Sequence, residues 1–334
     1  MARKYQVYGI GNALVDFEIE TTPEELQNLS IEKGVMTLIE EDRQNALSEA
    51  FHGKHHSRAC GGSAANTIIG AQSLGVQCFY SCKVADDETG HFYRDDLLTH
   101  GVHSNLSTEA LSEGKTGKCL VMITEDADRT MNTFLGITGD IGFDQVDVQA
   151  LADSEYLYVE GYLASSPVAI EAVQQARLVA KDNDVKIAFS LSDPNMVKFC
   201  RDGLEALIAD GVDLLFCNSD EATSYTNTQD IDEALASLAK LAKTVVVTLG
   251  AEGAVIYQNG EKTAVAGNAV KAIDTNGAGD LFAGAFLYGI TSGYDFEKAG
   301  KLASFASAKL VTQFGPRLTE ESLNVVKEFN QSLA

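Results

Sequence analysis

Short apolar runs recur along the chain, each seven to ten residues long and set between polar stretches. They are "YQVYGIG" at 5–11, "VQCFYSCKVA" at 76–85, "YLYVEGYLA" at 156–164, "VKIAFSLS" at 185–192, "VDLLFCN" at 212–218 and "TVVVTLG" at 244–250. Between several of them the period changes. In 167–182, Val168, Ala169, Ala172, Val173, Ala176 and Val179 recur three and four residues apart, which places them on one face of a helix. Apolar strands alternating with helices predict parallel strands joined by right-handed crossovers, with helices covering both faces of the sheet. The last third turns mainly helical, over about 277–292, 295–313 and 319–331. The expected fold is α/β: one three-layer α/β/α domain spanning 1–334, with a mostly parallel central sheet.

Two stretches interrupt this rhythm. Residues 17–60 hold strand-like pieces at Phe17–Glu20, Val35–Ile39 and Ser57–Cys60 among polar helical segments. Residues 104–136 hold "KCLVMIT" and "RTMNTFLG" on either side of the turn-like "EDADR". Together the two insertions predict a small β-sheet lid over one edge of the domain, able to exclude water during chemistry.

Charge narrows the function. The 334 residues include 48 acidic and 25 basic ones, a formal charge of −23. Such a surface repels nucleic acid, which needs a basic face to displace its counterions. An anionic ligand would have to be held by a local device. Six cysteines occur without a CxxC pair, several inside apolar runs, and read as small core residues of a reducing compartment. No stretch reaches the ~18 apolar residues that span a bilayer, and the start lacks a secretory h-region. A cytoplasmic protein without membrane partners is expected.

The local device is visible at Asp274-Thr-Asn-Gly-Ala-Gly-Asp280, directly before the helical "LFAGAFLYGI". Gly277, Ala278 and Gly279 carry little bulk, so their amides can approach a ligand where the orphan N–H groups and the positive end of a helix converge. Asp280 at the helix start could take a proton from a hydroxyl beside that anion hole. A tight turn with an acidic cap is the plainer alternative.

"DTNGAGDLFAGAFL" resembles the C-terminal signature of the PfkB (ribokinase-like) carbohydrate kinases. "CGGSAANTIIGAQSLG" at 60–75 resembles their N-terminal signature and "VADDETG" at 84–90 the segment after it, with Ala85 where the family commonly has Gly. The resemblance covers essentially the whole chain in the right order. It implies a ribokinase-like fold and a phosphotransferase using ATP and Mg2+, with Asp280 as catalytic base and Gly277, Ala278 and Gly279 holding the moving phosphoryl group. "YGIGNALVDFEIE" lacks the third glycine of a dinucleotide fingerprint, Leu14 standing in its place. It resembles the opening of adenosine kinases, where the residues matching Asn12 and Asp16 hold the ribose. A carboxylate suits vicinal hydroxyls because it accepts both protons. Gly61, Gly62 and Asn66 fit the same substrate-binding role, although "GG" before a helix is also an ordinary turn.

Asn218-Ser-Asp-Glu221 resembles the family's NxxE motif, which organises Mg2+ and phosphates; otherwise it is a helix start with favourable acidic residues. "TLGAEGA" at 248–254 resembles the loop around the nucleotide, making Thr248, Gly250 and Gly253 ATP contacts. Arg129 matches a family arginine that faces the phosphates when the lid shuts, or is a surface residue paired with Asp126 or Asp128. Asp274 matches a position near a monovalent cation in the family. "HGKHH" at 52–56 lacks a matching ligand set and reads as a solvated loop rather than a metal site.

"GNALVDF", "KGVMTLIEEDRQ" and "FSLSDPNMVKF" resemble the adenosine-kinase branch, which implies a nucleoside acceptor such as adenosine. Met36, Leu38, Phe134 and Leu135 could form an apolar slot for a purine, or simply the core of the flap. A free sugar such as ribose or fructose is the alternative acceptor, and a non-catalytic binding homologue the remaining one. A sugar phosphate would need basic residues, of which the first insertion has only Lys33, Arg43, Lys54 and Arg58. Nothing in the sequence speaks to an oligomeric state.

Overall fold

A computed structural model describes residues 3–108, 110–126 and 128–333, with the side chains of 55–57 outside the description. Two sheets organise the chain. The larger has nine strands: β1 (Tyr5–Ile10), β5 (Cys78–Ser81), β6 (His103–Ser104), β9 (Ser154–Glu160), β10 (Lys186–Ser190), β11 (Val212–Asn218), β12 (Ala242–Thr248), β13 (Gly253–Gln258) and β14 (Glu261–Ala266). Their order is β14-β13-β12-β11-β10-β9-β1-β5-β6. From β12 to β6 every pairing is parallel, and β13 and β14 add an antiparallel hairpin at one edge.

That hairpin is not signalled by the apolar pattern. β14 reads "EKTAVA" and exposes most of its residues, as an edge strand does, so its periodicity is weak. The parallel strands are the opposite case. Val245, Val246 and Val247 are all fully buried, because helices cover both faces. The helix expected over 167–182 runs from Pro167 to Asp182, with the Ser166 hydroxyl accepting Ala169 N–H at its start. It buries Ala169, Ala172, Val173, Ala176 and Ala180, while Val168 faces outward at 47% exposure. The three C-terminal helices are Ala278–Thr291, Phe296–Leu310 and Glu320–Ser332.

The second sheet has the order β3-β8-β7-β2-β4, from β2 (Leu14–Glu20), β3 (Met36–Leu38), β4 (His55–Gly61), β7 (Gly117–Ile123) and β8 (Arg129–Phe134). Both insertions therefore build one sheet, as the sequence predicts. Its outer face carries Ile19, Leu120 and Met122, which pack with Leu26 and Leu47 from two short covering helices, Pro23–Asn28 and Glu41–Ala50, and with Phe51 just after the second. The backbone of His55 and His56 lies in β4 rather than in a loop; their side chains lie outside the described residues. Among the described residues no group of three or more His, Cys, Asp or Glu could hold a metal, and no helix is long and apolar enough to cross a membrane.

Candidate active site

The carboxyl ends of the parallel strands open into a cavity of about 260 Å³, roofed by the second sheet. Asn12 follows β1, Glu160 ends β9, Ser190 ends β10, Asn218 ends β11 and Thr248 ends β12, and all five line it. Open α/β sheets bind ligands at this end of their strands.

The helix Ala278–Thr291 points its N-terminus into the same cavity, with Gly277, Ala278, Gly279 and Asp280 on the wall. Gly277 adopts φ 73°, a left-handed turn that only glycine enters freely, and a Cβ there would lie 2.7 Å from the Pro316 carbonyl. A Cβ on Gly279 would meet nothing within 4 Å, so its amide faces open space. Asp280 is held on both oxygens: Ser63 Oγ donates to Oδ1 at 2.7 Å and Asn66 Nδ2 to Oδ2 at 3.1 Å. Burial at the cavity floor raises its pKa, opposed by those two hydrogen bonds and by Arg129. Ser63 and Asn66 stand three apart in the first turn of the helix Ser63–Leu74, which aims both at one carboxylate.

The residues expected to bind the acceptor, Gly61 apart, line the same cavity. Asp16 on β2 is buried, and a Cβ on Gly61 would lie 2.2 Å from its carboxylate, so Gly61 makes room for Asp16 without lining the cavity. Gly62, at φ 91°, passes so close to Asn12 that a Cβ would sit 2.1 Å from its carbonyl oxygen. Burial, reinforced by Glu18, pushes the Asp16 carboxyl up to about 8. Glu160 is fully buried and accepts Asn12 N–H on one oxygen and Ala64 N–H on the other, each at 2.7 Å. It thereby ties the turn after β1 to the start of the helix Ser63–Leu74, and burial raises it to about 7. Asn12 Oδ1, Asn66 Oδ1 and Asn276 Nδ2 are buried without a protein partner, and all three residues line the cavity. Buried polar atoms left open in this way fit a polar ligand.

Alternation along the strands decides which roof residues look down. Arg129, Met131 and Thr133 of β8 line the cavity, so Phe134 does not, while Leu135 beyond the strand end does. Met36 and Leu38 of β3, Leu14 of β2 and Cys119 of β7 complete the apolar side. Of the residues expected in an apolar slot only Phe134 is turned away, and Met131 lines the cavity beside the others. Arg129 does not pair with Asp126 or Asp128. Lys33 takes both, lying 3.6 Å from Asp128, and Arg129 Nη1 donates instead to Asn276 Oδ1 at 3.2 Å.

Asn218 and Glu221 form a reciprocal cap on the helix Ser219–Thr226. Glu221 N–H donates to Asn218 Oδ1 at 2.8 Å, while Asn218 N–H and Nδ2 donate to the two Glu221 oxygens at 3.0 and 2.7 Å. Burial raises Glu221 to about 7. The motif is a helix cap, and both of its residues also line the cavity. Mg2+ keeps several waters and binds few protein carboxylates, so Glu221 fits an ion held chiefly by phosphates and water, with no protein cage. Thr248 lines the cavity; Gly250 and Gly253 do not. A Cβ on Gly253 would lie 2.1 Å from the Val265 carbonyl, so packing of the β13–β14 hairpin already requires that glycine. Asp274 is buried, and its two oxygens accept Asn276 N–H at 2.8 Å and Gly315 N–H at 2.9 Å. Ser63, Glu160 and Asn276 are not singled out by the sequence. A charged residue ending the apolar run "YLYVE" was the available signal for Glu160.

The chain is similar to known proteins in sequence and fold. A match to the pfkB family carbohydrate kinases covers residues 26–323. The crystal structure of adenosine kinase from Sinorhizobium meliloti superposes with a TM-score of 0.92 at 36% identity, over 98% of this chain and 99% of that one. Adenosine kinase of Saccharomyces cerevisiae is 27% identical over 340 residues, 95% of this chain and 98% of the relative. Ribokinase of Haemophilus influenzae is 26% identical over 288 residues, 84% of this chain and 90% of the relative. With the fold, the paired motifs and a match across most of its length, the chain belongs to the pfkB family of carbohydrate kinases and is a phosphotransferase acting on a sugar or nucleoside.

Proposed function

We propose that the protein transfers the γ-phosphoryl group of ATP to the 5′-hydroxyl of a ribonucleoside, with adenosine the favoured acceptor. One observation carries this reading. Asp280, fixed by Ser63 and Asn66 at a helix N-terminus, shares a cavity with Asp16 and with the open polar atoms of Asn12 and Asn66. Asp16 and Asn12 would take the ribose hydroxyls, Gly62 and Asn66 its oxygen edge, and Asp280 the proton of the attacking hydroxyl. The amides of Gly277, Ala278 and Gly279, with Arg129 from the lid, would meet the charge that develops on the phosphoryl oxygens. Asn218 and Glu221 would hold Mg2+ largely through water, and the ion would supply charge neutralisation for the phosphates.

The apolar side favours a nucleoside over a free sugar. Met36, Leu38, Met131 and Leu135 contribute methyl-rich surface that suits the flat face of a base and offers nothing to a hydroxyl. A sugar phosphate fits poorly, because Arg129 is the single cationic side chain among the described lining residues; Arg43, Lys54 and Arg58 bond elsewhere. Rates with adenosine, inosine, guanosine, cytidine, ribose and fructose test the reading. Adenosine is expected to give the highest kcat/KM. A higher value for ribose or fructose would move the acceptor to free sugars, and turnover of none would leave a binding homologue.

Glu221→Ala is expected to raise the Mg2+ concentration for half-maximal rate several-fold while acceptor KM changes little. The same change removes half of a capping box and costs about 1 kcal/mol of stability. An unchanged metal titration alongside a lowered melting temperature would return Glu221 to a capping role alone.

A further inference from the structure

Asn276 occupies the turn before the helix Ala278–Thr291 and lines the cavity. Its backbone is anchored from below, since its N–H donates to Asp274 and Asp274 in turn holds Gly315. The residue is 5% exposed. Arg129, reaching down from β8, donates to Asn276 Oδ1 at 3.2 Å. A guanidinium only donates, so the arginine must face the amide oxygen, and the amide nitrogen is turned away from it. That nitrogen is buried and has no protein partner. A buried amide donor left open is destabilising unless something polar comes to it.

We propose that Asn276 completes the phosphoryl site: its Oδ1 seats the lid's Arg129, and its free Nδ2–H donates to an oxygen of the transferring group. This rests on the phosphotransferase reading of the cavity. In the transfer, the acceptor oxygen bonds to the γ-phosphorus as the bridging P–O bond to ADP breaks, and the acceptor proton passes to Asp280. Negative charge is spread over the equatorial oxygens at that moment. The helix amides approach from the main sheet's side, and Arg129 comes from the second sheet. Asn276 sits where the two meet, so one side chain gives a donor of its own and aligns the arginine beside it. The site is then complete only with the lid in place, which keeps a reactive phosphoryl group from water.

The test uses the full chain with adenosine and Mg-ATP. Asn276→Ala is expected to lower kcat about 10²-fold, the usual loss for one such donor, with adenosine KM changed little. Affinity for a non-hydrolysable β,γ-imido ATP analogue, measured by calorimetry with adenosine present, should weaken about tenfold. Asn276→Asp keeps the acceptor for Arg129 but trades the donor for a negative charge, and should be slower than Asn276→Ala. Arg129→Ala combined with Asn276→Ala should lose little more than the worse single variant, because the two act as one unit. Multiplying losses, an Asn276→Asp variant as fast as wild type, or unchanged analogue affinity would each overturn the proposal. Turnover intact in Asn276→Ala but lost in Asp280→Asn would overturn it while leaving the kinase reading standing.

Discussion

Asp280→Asn is expected to lower kcat by about 10²–10⁴, the range associated with loss of a general base, while affinity for ATP is retained. The substitution suits the question because the surroundings tolerate it. Asp280 accepts one hydrogen bond from Ser63 and one from Asn66. An asparagine can keep its Oδ1 against Asn66 and donate its Nδ2–H to Ser63, whose hydroxyl turns to accept. The variant therefore holds its place and loses only the capacity to take a proton. An aspartate in water is a poor base, but burial raises the pKa of Asp280. That makes it better matched to a hydroxyl losing its proton as the P–O bond forms. Steady-state kinetics at saturating acceptor, with calorimetric ATP binding on the same preparation, checks it. A folded variant within tenfold of wild-type kcat would remove Asp280 from proton transfer.

What could be read in the sequence follows from how far each signal extends along the chain. β11 occupies Val212–Asn218 and the 167–182 helix keeps its expected bounds, because burial on both faces of a strand, or one face of a helix, prints a strong local period. β13 and β14 escaped because an edge hairpin alternates weakly. Phe134 was a candidate for the apolar slot and Met131 was not, although a single-residue phase decides which side of β8 each occupies. That phase is set by pairing with β7, where Cys119 lies opposite Thr133. Pairing of this kind is a non-local fact.

The candidate site shows the same division. Motif residues such as Gly277 and Gly62 are recognisable alone, since a left-handed φ and the lack of room for a Cβ call for glycine at the position itself. Glu160 and Asn276 act by touching segments far away in sequence: Glu160 binds Asn12 and Ala64, and Asn276 receives Arg129. Their importance lies in a meeting of elements, which composition and spacing do not contain. The NxxE motif is the instructive middle case. Its spacing fits both a capping box and a metal-organising pair, and the fold uses it as a cap that also faces the cavity.

Asp16→Asn is expected to make the protein more stable and far less active, with both effects depending on pH. Asp16 is buried beside Glu18, and its pKa stands near 8 against 3.8 for an exposed carboxyl. The folded state therefore holds a proton that the unfolded chain releases between those two values. Stability changes with pH as the protons bound unfolded minus those bound folded, a negative quantity here, so this group's contribution falls as pH rises from about 4 to about 8. The penalty is absent below that window and complete above it. Asparagine has no charge to bury, so the variant's advantage in melting temperature should widen by about 2 °C per pH unit from pH 5 to pH 8 and then level off. Activity runs the other way. An ionised Asp16 accepts two ribose hydroxyls at once, whereas asparagine accepts on one atom and is uncharged. kcat/KM for ribonucleosides should drop about 10²-fold or more, the worth of two hydrogen bonds to a charged group. Wild-type kcat/KM should climb with pH through about 8, and the variant should lack that limb. Discrimination against 2′-deoxyadenosine should shrink with it, since the carboxylate is what the missing hydroxyl fails to reach. A variant that melts no higher at pH 8 than wild type would show that Asp16 is ionised in the folded protein. One that still rejects the deoxy compound as strongly would place ribose selection on other residues.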